Sequence, residues 1–387
     1  MSVTARALVR QWGGRAVVLA ITGIGLYIVA PSLLSLFGSW PRLADVRPWW
    51  FVLLVLLQAG SFASLWWLTR LALQPHHADG DDLDLMPADH HADPDTDDVQ
   101  ARAPIVAPGG AAPRPAPRWG TIATAQLAGN AASKVVPGGP ATGGVVQAKL
   151  LVQAGHPLPS VMSGLAGVGL ITTAVLLLLP VLTLPALLIG PPPAHQLQLG
   201  LLVSLILAVV IVGVGVTALT WPRVVDAVGR LIGHALHRFG RPVTAATVAT
   251  SLLVQRARVA AAFKGRWWRA VFAAAANRMF DYAALVAALT AFGAHARPSE
   301  VLLAFVVAQA LAMVPITPGG LGFVESGLTA LLVVIGVPAD TAVIGTLLYR
   351  LVSFWLPIPV GALAWAGWRI HRSQDRTAAG GEVRELP

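Results

Sequence analysis

The stretch Ser299–Val337, SEVLLAFVVAQALAMVPITPGGLGFVESGLTALLVVIGV, decides how this chain folds. It is apolar enough to enter a bilayer, yet Pro315 and Pro318-Gly319-Gly320 interrupt it. Proline removes a backbone donor and glycine loosens the helix, so the run divides into two short helices. At 39 residues it forms either a hairpin or two tight crossings. A second stretch, Thr121–Gln153 (TIATAQLAGNAASKVVPGGPATGGVVQAKLLVQ), is broken by Pro137-Gly138-Gly139-Pro140 and Gly143-Gly144. It is too short for two crossings, which need about 40 residues, and reads as two half-helices in a re-entrant hairpin. Non-helical backbone at that depth is tolerated only where protein or water covers it. The breaks are alike, since Gln126 leads to Pro137-Gly138-Gly139 and Gln309 leads to Pro318-Gly319-Gly320. Paired, oppositely facing interruptions of this kind point to an inverted repeat with a substrate site near the midplane.

Outward from these stretches lie uninterrupted apolar runs of about 20 residues or more, the length of a membrane-spanning helix. They are Ala16–Phe37, Trp49–Leu73, Val161–Ile189, Gln198–Trp221, Trp268–Phe292 and Thr341–Trp368. Ala16–Phe37 has too long an apolar core for a signal peptide and no small-residue cleavage site, so it reads as a retained anchor. The expected fold is an all-α integral membrane protein with six full transmembrane helices and two Gly/Pro-broken re-entrant hairpins. Trp49–Trp50 and Trp66–Trp67 stand about 25 Å apart along one helix, near the hydrocarbon thickness.

The charge distribution agrees. Of 387 residues, 56% are hydrophobic and 12% charged, which excludes a soluble globular domain. Zero cysteines exclude disulfides, thiolate metal sites and cysteine nucleophiles. The net charge of +9 hides an acidic segment, because Gln74–Arg118 holds nine Asp and three Arg. Without it the chain has 24 bases, nine acids and a net +15. Such an excess marks cytoplasmic loops and anionic lipid contact, and no aromatic-interleaved basic stripe suggests nucleic acid. Arg6, Arg10 and Arg15 near one end, Arg369, Arg372 and Arg376 near the other, and eight Lys or Arg between Arg223 and Arg266 place both termini and that loop in the cytoplasm. Gly190–Leu197 has no Lys or Arg, as an external loop should.

Four segments follow: transmembrane helices 1 and 2 in residues 1–73, an Asp/His/Pro-rich insert in 74–118, a transmembrane core in 119–372 and a short polar tail in 373–387. The insert has too few apolar residues to bury and is expected to be a disordered cytoplasmic loop. Val224–Phe239 is a basic amphipathic stretch, with Val224, Val228, Leu231, Ile232, Ala235, Leu236 and Phe239 at helical spacing. It reads as a helix covering the cytoplasmic face of the bundle, or as a contact with lipid head groups.

The broken segments carry a recognisable pattern. Asn130 with Pro137-Gly138-Gly139-Pro140-Ala141-Thr142-Gly143-Gly144 resembles one signature of the lysylphosphatidylglycerol synthase transmembrane, or flippase-like, domain family. Pro318-Gly319-Gly320-Leu321-Gly322-Phe323-Val324-Glu325, followed by Tyr349-Arg350-Leu351 and Phe354-Trp355-Leu356-Pro357, resembles a second. The likeness covers roughly Ala16–Leu73 and Trp119–Arg372. The insert departs from the pattern. Synthases of the family append a soluble aminoacyl-transferase domain, whereas about 15 residues follow Arg372 here. The resemblance therefore implies lipid translocation without lipid synthesis.

A charge at the centre of a spanning helix costs about 2.5–3.5 kcal/mol, so each one needs an explanation. Arg350 falls near mid-depth, and Glu325 follows the second break. They are expected to pair, either as a static bridge or as a pair that opens when a head group competes for Arg350. Arg278 and Asp281 share a helix face beside Asn277 and either neutralise each other or bind phosphate and a cationic moiety. Asn130 and Lys134, one turn apart, either line a path, with Lys134 on phosphate, or leave Lys134 snorkelling toward water. Backbone N–H groups at Gly138-Gly139 and Gly319-Gly320 offer seats for phosphate oxygens at half-helix amino ends.

No nucleotide motif or catalytic triad is legible, so neither an enzyme nor a cofactor is expected, and no metal site. The leading expectation is a flippase or scramblase of the bacterial cytoplasmic membrane, acting on anionic, aminoacylated or polyprenyl-phosphate lipid. A secondary transporter of a small polar solute, or a non-transporting partner of a cell-envelope lipid enzyme, stands as the alternative. Oligomeric state is left open.

Overall fold

A computed structural model describes residues 46–74, 117–136, 139–183, 220–238, 244–312 and 320–382, with scattered positions between 202 and 217. The expected first span, Ala16–Phe37, and the insert between 75 and 116 lie outside the described residues, as does most of Gln198–Trp221.

Among the described residues the protein is helical without strands. In chain order the helices are α1 (Pro48–Leu73), α2 (Trp119–Val135), α3 (Pro140–Gln153), α4 (Leu158–Leu178), α5 (Pro222–Arg238), α6 (Ala245–Phe263), α7 (Trp267–Ala291), α8 (Pro298–Ala312), α9 (Phe323–Val334), α10 (Ala339–Arg350) and α11 (Pro357–Glu382). A 3-10 turn, Leu179–Thr183, extends α4, and a π turn, Leu351–Trp355, joins α10 to α11. Five of these helices open on proline, whose fixed φ suits the first turn and whose missing N–H is unpaired there anyway.

Among the described residues, three helical segments are long and apolar enough to cross a membrane: Pro48–Leu73, Leu158–Val181 and Ala339–Ile370. They match three of the six expected spans. Helix α7, with 25 residues, is displaced by one residue from the expected Trp268–Phe292, and it is rich in alanine and carries Arg269, Arg278 and Asp281. The apolar helices α8 and α9, with 15 and 12 residues, are about 22 and 18 Å long, too short to cross alone. Both broken stretches are therefore helix–break–helix units, with α2 and α3 forming the first and α8 and α9 the second.

Close packing rests on small residues, as expected where lipid removes the usual hydrophobic drive between helices. Helices α2 and α3 touch at Gly129 and Gly143, where a Cβ on Gly143 would stand 2.5 Å from the Gly129 carbonyl oxygen. Gly361 brings α11 against the Leu127 carbonyl and Ala131 of α2. Gly345 of α10 lies under Leu289 of α7. The largest core, around Leu285, Phe305, Leu328, Leu332 and Leu348, unites α7, α8, α9 and α10. That core and the α2–α3 pair flank the π turn and hold the polar side chains described next.

Candidate functional site: a polar seam between the two broken units

The seam begins where α10 gives way to the π turn. Arg350 donates from Nε to Glu325 Oε1 at 2.7 Å, so the expected pair is present. The side chains are only 10% and 12% exposed, which makes this a buried pair. Glu325 sits at the third position of α9, and its Oε2 accepts the Gly322 N–H at 2.7 Å in a capping-box arrangement. Gly322 has φ 76°, a conformation that admits this tight entry only with glycine. The amino end of α9 is thus filled by its own carboxylate, which bridges the helix end to Arg350. Gly320, also at positive φ, is buried against Val324.

Lys134, at the carboxyl end of α2, is held by backbone acceptors of the π turn. Its Nζ donates to the Ser353 and Phe354 carbonyls at 2.8 and 3.1 Å. The cause lies in the sequence. Pro357 has no N–H, so the Ser353 carbonyl four residues earlier loses its helical donor. Lysine supplies the missing one. The π turn also widens the ladder here, with the Leu356 N–H reaching Leu351 O at 2.9 Å. Phe354 then lies between two cations, 4.3 Å from Arg350 Cζ and 4.9 Å from Lys134 Nζ.

Asp281 forms the third part. Its two oxygens accept from the Tyr349 hydroxyl at 3.1 Å and from Gln309 Nε2 at 3.2 Å. Gln309 also donates to the Tyr349 oxygen at 3.1 Å. Asp281 and Arg278 do not form the ion pair that their spacing suggested, because α8 and α10 present Gln309 and Tyr349 to the carboxylate instead. Arg278 Nε is buried and has no hydrogen-bond partner among the described residues, and Asn130 Oδ1 is in the same condition. Lys134, Arg278 and Arg350 all lie within electrostatic reach of Asp281.

Asn277 faces elsewhere. Its amide donates to the Ser61 carbonyl and hydroxyl at 3.0 and 2.8 Å, while Ser61 Oγ returns a bond to the Asn277 carbonyl at 3.1 Å. That exchange clamps α7 to α1. Gly138 and Gly319 lie outside the described residues, while Gly139, at φ 54°, turns the chain into α3.

The seam also takes in Gln126, Gln147, Gln309 and Tyr349, which are not among the site residues expected from the sequence. Gln126, Asn130 and Lys134 stand four apart and line one face of α2 over about 12 Å. Gln126 Oε1 accepts from Gln147 Nε2 at 2.5 Å and from Thr69 Oγ1 at 3.2 Å, tying α2, α3 and α1 together. The i, i+4, i+8 spacing of these polar residues was the available signal. Gln309 and Tyr349 are polar residues in otherwise apolar runs and were findable in the same way. The two glutamines noted before the two breaks are each a hydrogen-bonding centre, Gln126 toward α3 and α1 and Gln309 toward α7 and α10.

The family model for the lysylphosphatidylglycerol synthase TM region matches residues 110–361, which contain every seam residue named above except Thr69. A UPF0104 membrane protein of Pyrococcus horikoshii is 41% identical over 64 residues, 16% of this chain and 19% of that protein. Another, from Methanothermobacter thermautotrophicus, is 36% identical over 73 residues, 19% of this chain and 22% of that protein. The matched part spans about a fifth of the length of these curated relatives. No solved structure matches. On the extent of the family match, this chain belongs to the family of the lysylphosphatidylglycerol synthase transmembrane region.

Proposed function

We propose that this membrane protein carries an anionic lipid head group across the bilayer through the polar seam, as a flippase or scramblase and not as an enzyme. One observation supports this most. Three basic side chains, Lys134, Arg278 and Arg350, share the seam with two acidic ones, Asp281 and Glu325, so with every group ionised the sum is +1. A phosphodiester carries the single negative charge that balances it. Arg278 Nε offers a buried donor without a partner and Asn130 Oδ1 a buried acceptor without one. A phosphate oxygen suits the first, and a head-group hydroxyl or ammonium suits the second.

In this reading both broken units are re-entrant, and their ends meet at the seam near mid-depth. The phosphate competes with Glu325 for Arg350, and Glu325 keeps the Gly322 N–H when it lets go. Acyl chains stay in the bilayer while the head group passes. Phosphatidylglycerol-like, aminoacylated and polyprenyl-phosphate lipids all carry the required group. The membrane is the cytoplasmic one, with both termini on the cytoplasmic side.

The test is purified protein in liposomes holding a trace of head-group-labelled phosphatidylglycerol. An impermeant reductant bleaches only the outer leaflet of protein-free vesicles, and both leaflets should bleach when the protein is present. Bleaching identical to that of protein-free vesicles would remove the proposal.

A further inference from the structure

Helices α5 and α6 form a hairpin away from the seam, and its packing is inverted relative to that of a water-soluble hairpin. α5 meets α6 through glycine. Gly229 and Gly233 are buried, and a Cβ on Gly229 would stand 2.5 Å from Ala249 Cα. The apolar side chains are left outside, with Val224, Val228, Leu231 and Ile232 exposed by 38%, 45%, 70% and 42%. Leu231, two residues beyond Gly229, lies about 200° around the helix from it. These four recur at i, i+4, i+7 and i+8, so they form one stripe.

Charge and position indicate what covers that stripe. Between Pro222 and Lys264 the chain has seven Lys or Arg and a single acid, Asp226, which is bonded to Arg230 on the same helix. Arg223, Arg230, Arg258 and Lys264 are exposed. The hairpin is tied to the end of a candidate span, because Arg266 donates to Gln74, the residue that closes α1. α6 also packs its Phe263 ring against Gly167 of α4, another candidate span. Trp221, Trp267 and Trp268, which flank the hairpin, are 64%, 66% and 55% exposed, as tryptophans of an interfacial belt are.

We infer that α5 is an in-plane membrane helix that lays the Val224–Leu231–Ile232 stripe among the acyl chains and binds anionic head groups through its basic flank. The glycine contact lets α5 swing its apolar side to the bilayer while staying joined to α6. This role is independent of any traffic through the seam.

The chain contains no cysteine, so single labels need no background removal. Full-length protein carrying a spin label at Val224→Cys, Leu231→Cys, Arg223→Cys or Arg230→Cys is placed in nanodiscs of phosphatidylcholine, with or without phosphatidylglycerol. Collision with oxygen reports the acyl region, and collision with a water-soluble nickel chelate reports solvent. For a face buried about 5–10 Å into the interface, the oxygen-to-nickel ratio at Leu231→Cys should exceed that at Arg223→Cys roughly tenfold. Phosphatidylglycerol should raise the ratio at Val224→Cys and Leu231→Cys, and the double substitution Arg223→Glu, Arg230→Glu should abolish that rise. A Leu231 label open to nickel, or shielded from both reagents by protein, overturns the inference. A ratio indifferent to phosphatidylglycerol overturns the anionic half of it.

Discussion

Replacing Arg350 with methionine removes the guanidinium but keeps an unbranched apolar stem of similar length. Glu325 then retains one partner, the Gly322 N–H at 2.7 Å, and loses the cation that neutralises it. Removing one member of a buried pair typically costs 3–5 kcal/mol, because an uncompensated charge stays behind. The Glu325 side chain is 12% exposed and keeps its cap, which puts the expected loss near the low end, about 3 kcal/mol. Glu325→Gln should cost about 2 kcal/mol, since glutamine can still accept from Gly322 while Arg350 is left without its carboxylate. The double variant leaves no unpaired charge at this position, so its loss should fall at least about 1.5 kcal/mol short of the sum of the singles. Reversible unfolding in mixed micelles, followed by tryptophan fluorescence, measures all four corners of the cycle. Losses that add to within about 0.5 kcal/mol would refute the reasoning, because independent sites behave that way.

Further outcomes follow from individual contacts. Gly143→Ala should destabilise the first broken unit by about 1–3 kcal/mol, because its Cβ would meet the Gly129 carbonyl at 2.5 Å. Gly144→Ala, where nothing lies within 4 Å, should be tolerated, and thermal unfolding of the two variants compares them directly. Lys134→Met should cost about 1.5–3 kcal/mol by orphaning the Ser353 carbonyl. Pro357→Ala restores an N–H for that carbonyl, so the loss on Lys134→Met should shrink in that background by the same unfolding assay. Asn277→Ala removes the two amide bonds to Ser61 and should lower stability on the order of 1 kcal/mol, without altering the Glu325–Arg350 coupling.

Much of this arrangement was legible in the residues, and the exceptions share a cause. The breaks at Pro137-Gly138-Gly139 and Pro318-Gly319-Gly320 announced two interrupted helical units, since proline and glycine act locally. Glu325 and Arg350 were readable as partners because each was costly alone in an apolar run. The fate of Arg278 and Asp281 was not, because helix spacing places them on one face without saying what other helices bring to that face. Gln309 and Tyr349 arrive from α8 and α10 and take the carboxylate. Sequence alone leaves Lys134 either snorkelling or lining a path. Its carbonyl partners are 219 and 220 residues away in sequence and become available through Pro357. Helix α6 went unread because the basic residues around it suggested a loop, although Thr244 caps it by accepting the Thr247 N–H. The glycine contacts of α2 with α3, and of α5 with α6, depend on approach distances that one sequence does not state.

The claim that the seam accepts a negatively charged head group is tested most directly at Arg278, which joins none of the ion pairs of the described residues and presents a buried Nε without a hydrogen-bond partner. Arg278→Gln keeps a donor there and removes the charge, taking the sum over the five ionisable groups from +1 to zero. In the liposome assay the rate of leaflet exchange for labelled phosphatidylglycerol should then fall roughly tenfold or more, the equivalent of about 1.4 kcal/mol of lost head-group stabilisation. Exchange of phosphatidylglycerol at the wild-type rate by folded Arg278→Gln protein would contradict the claim.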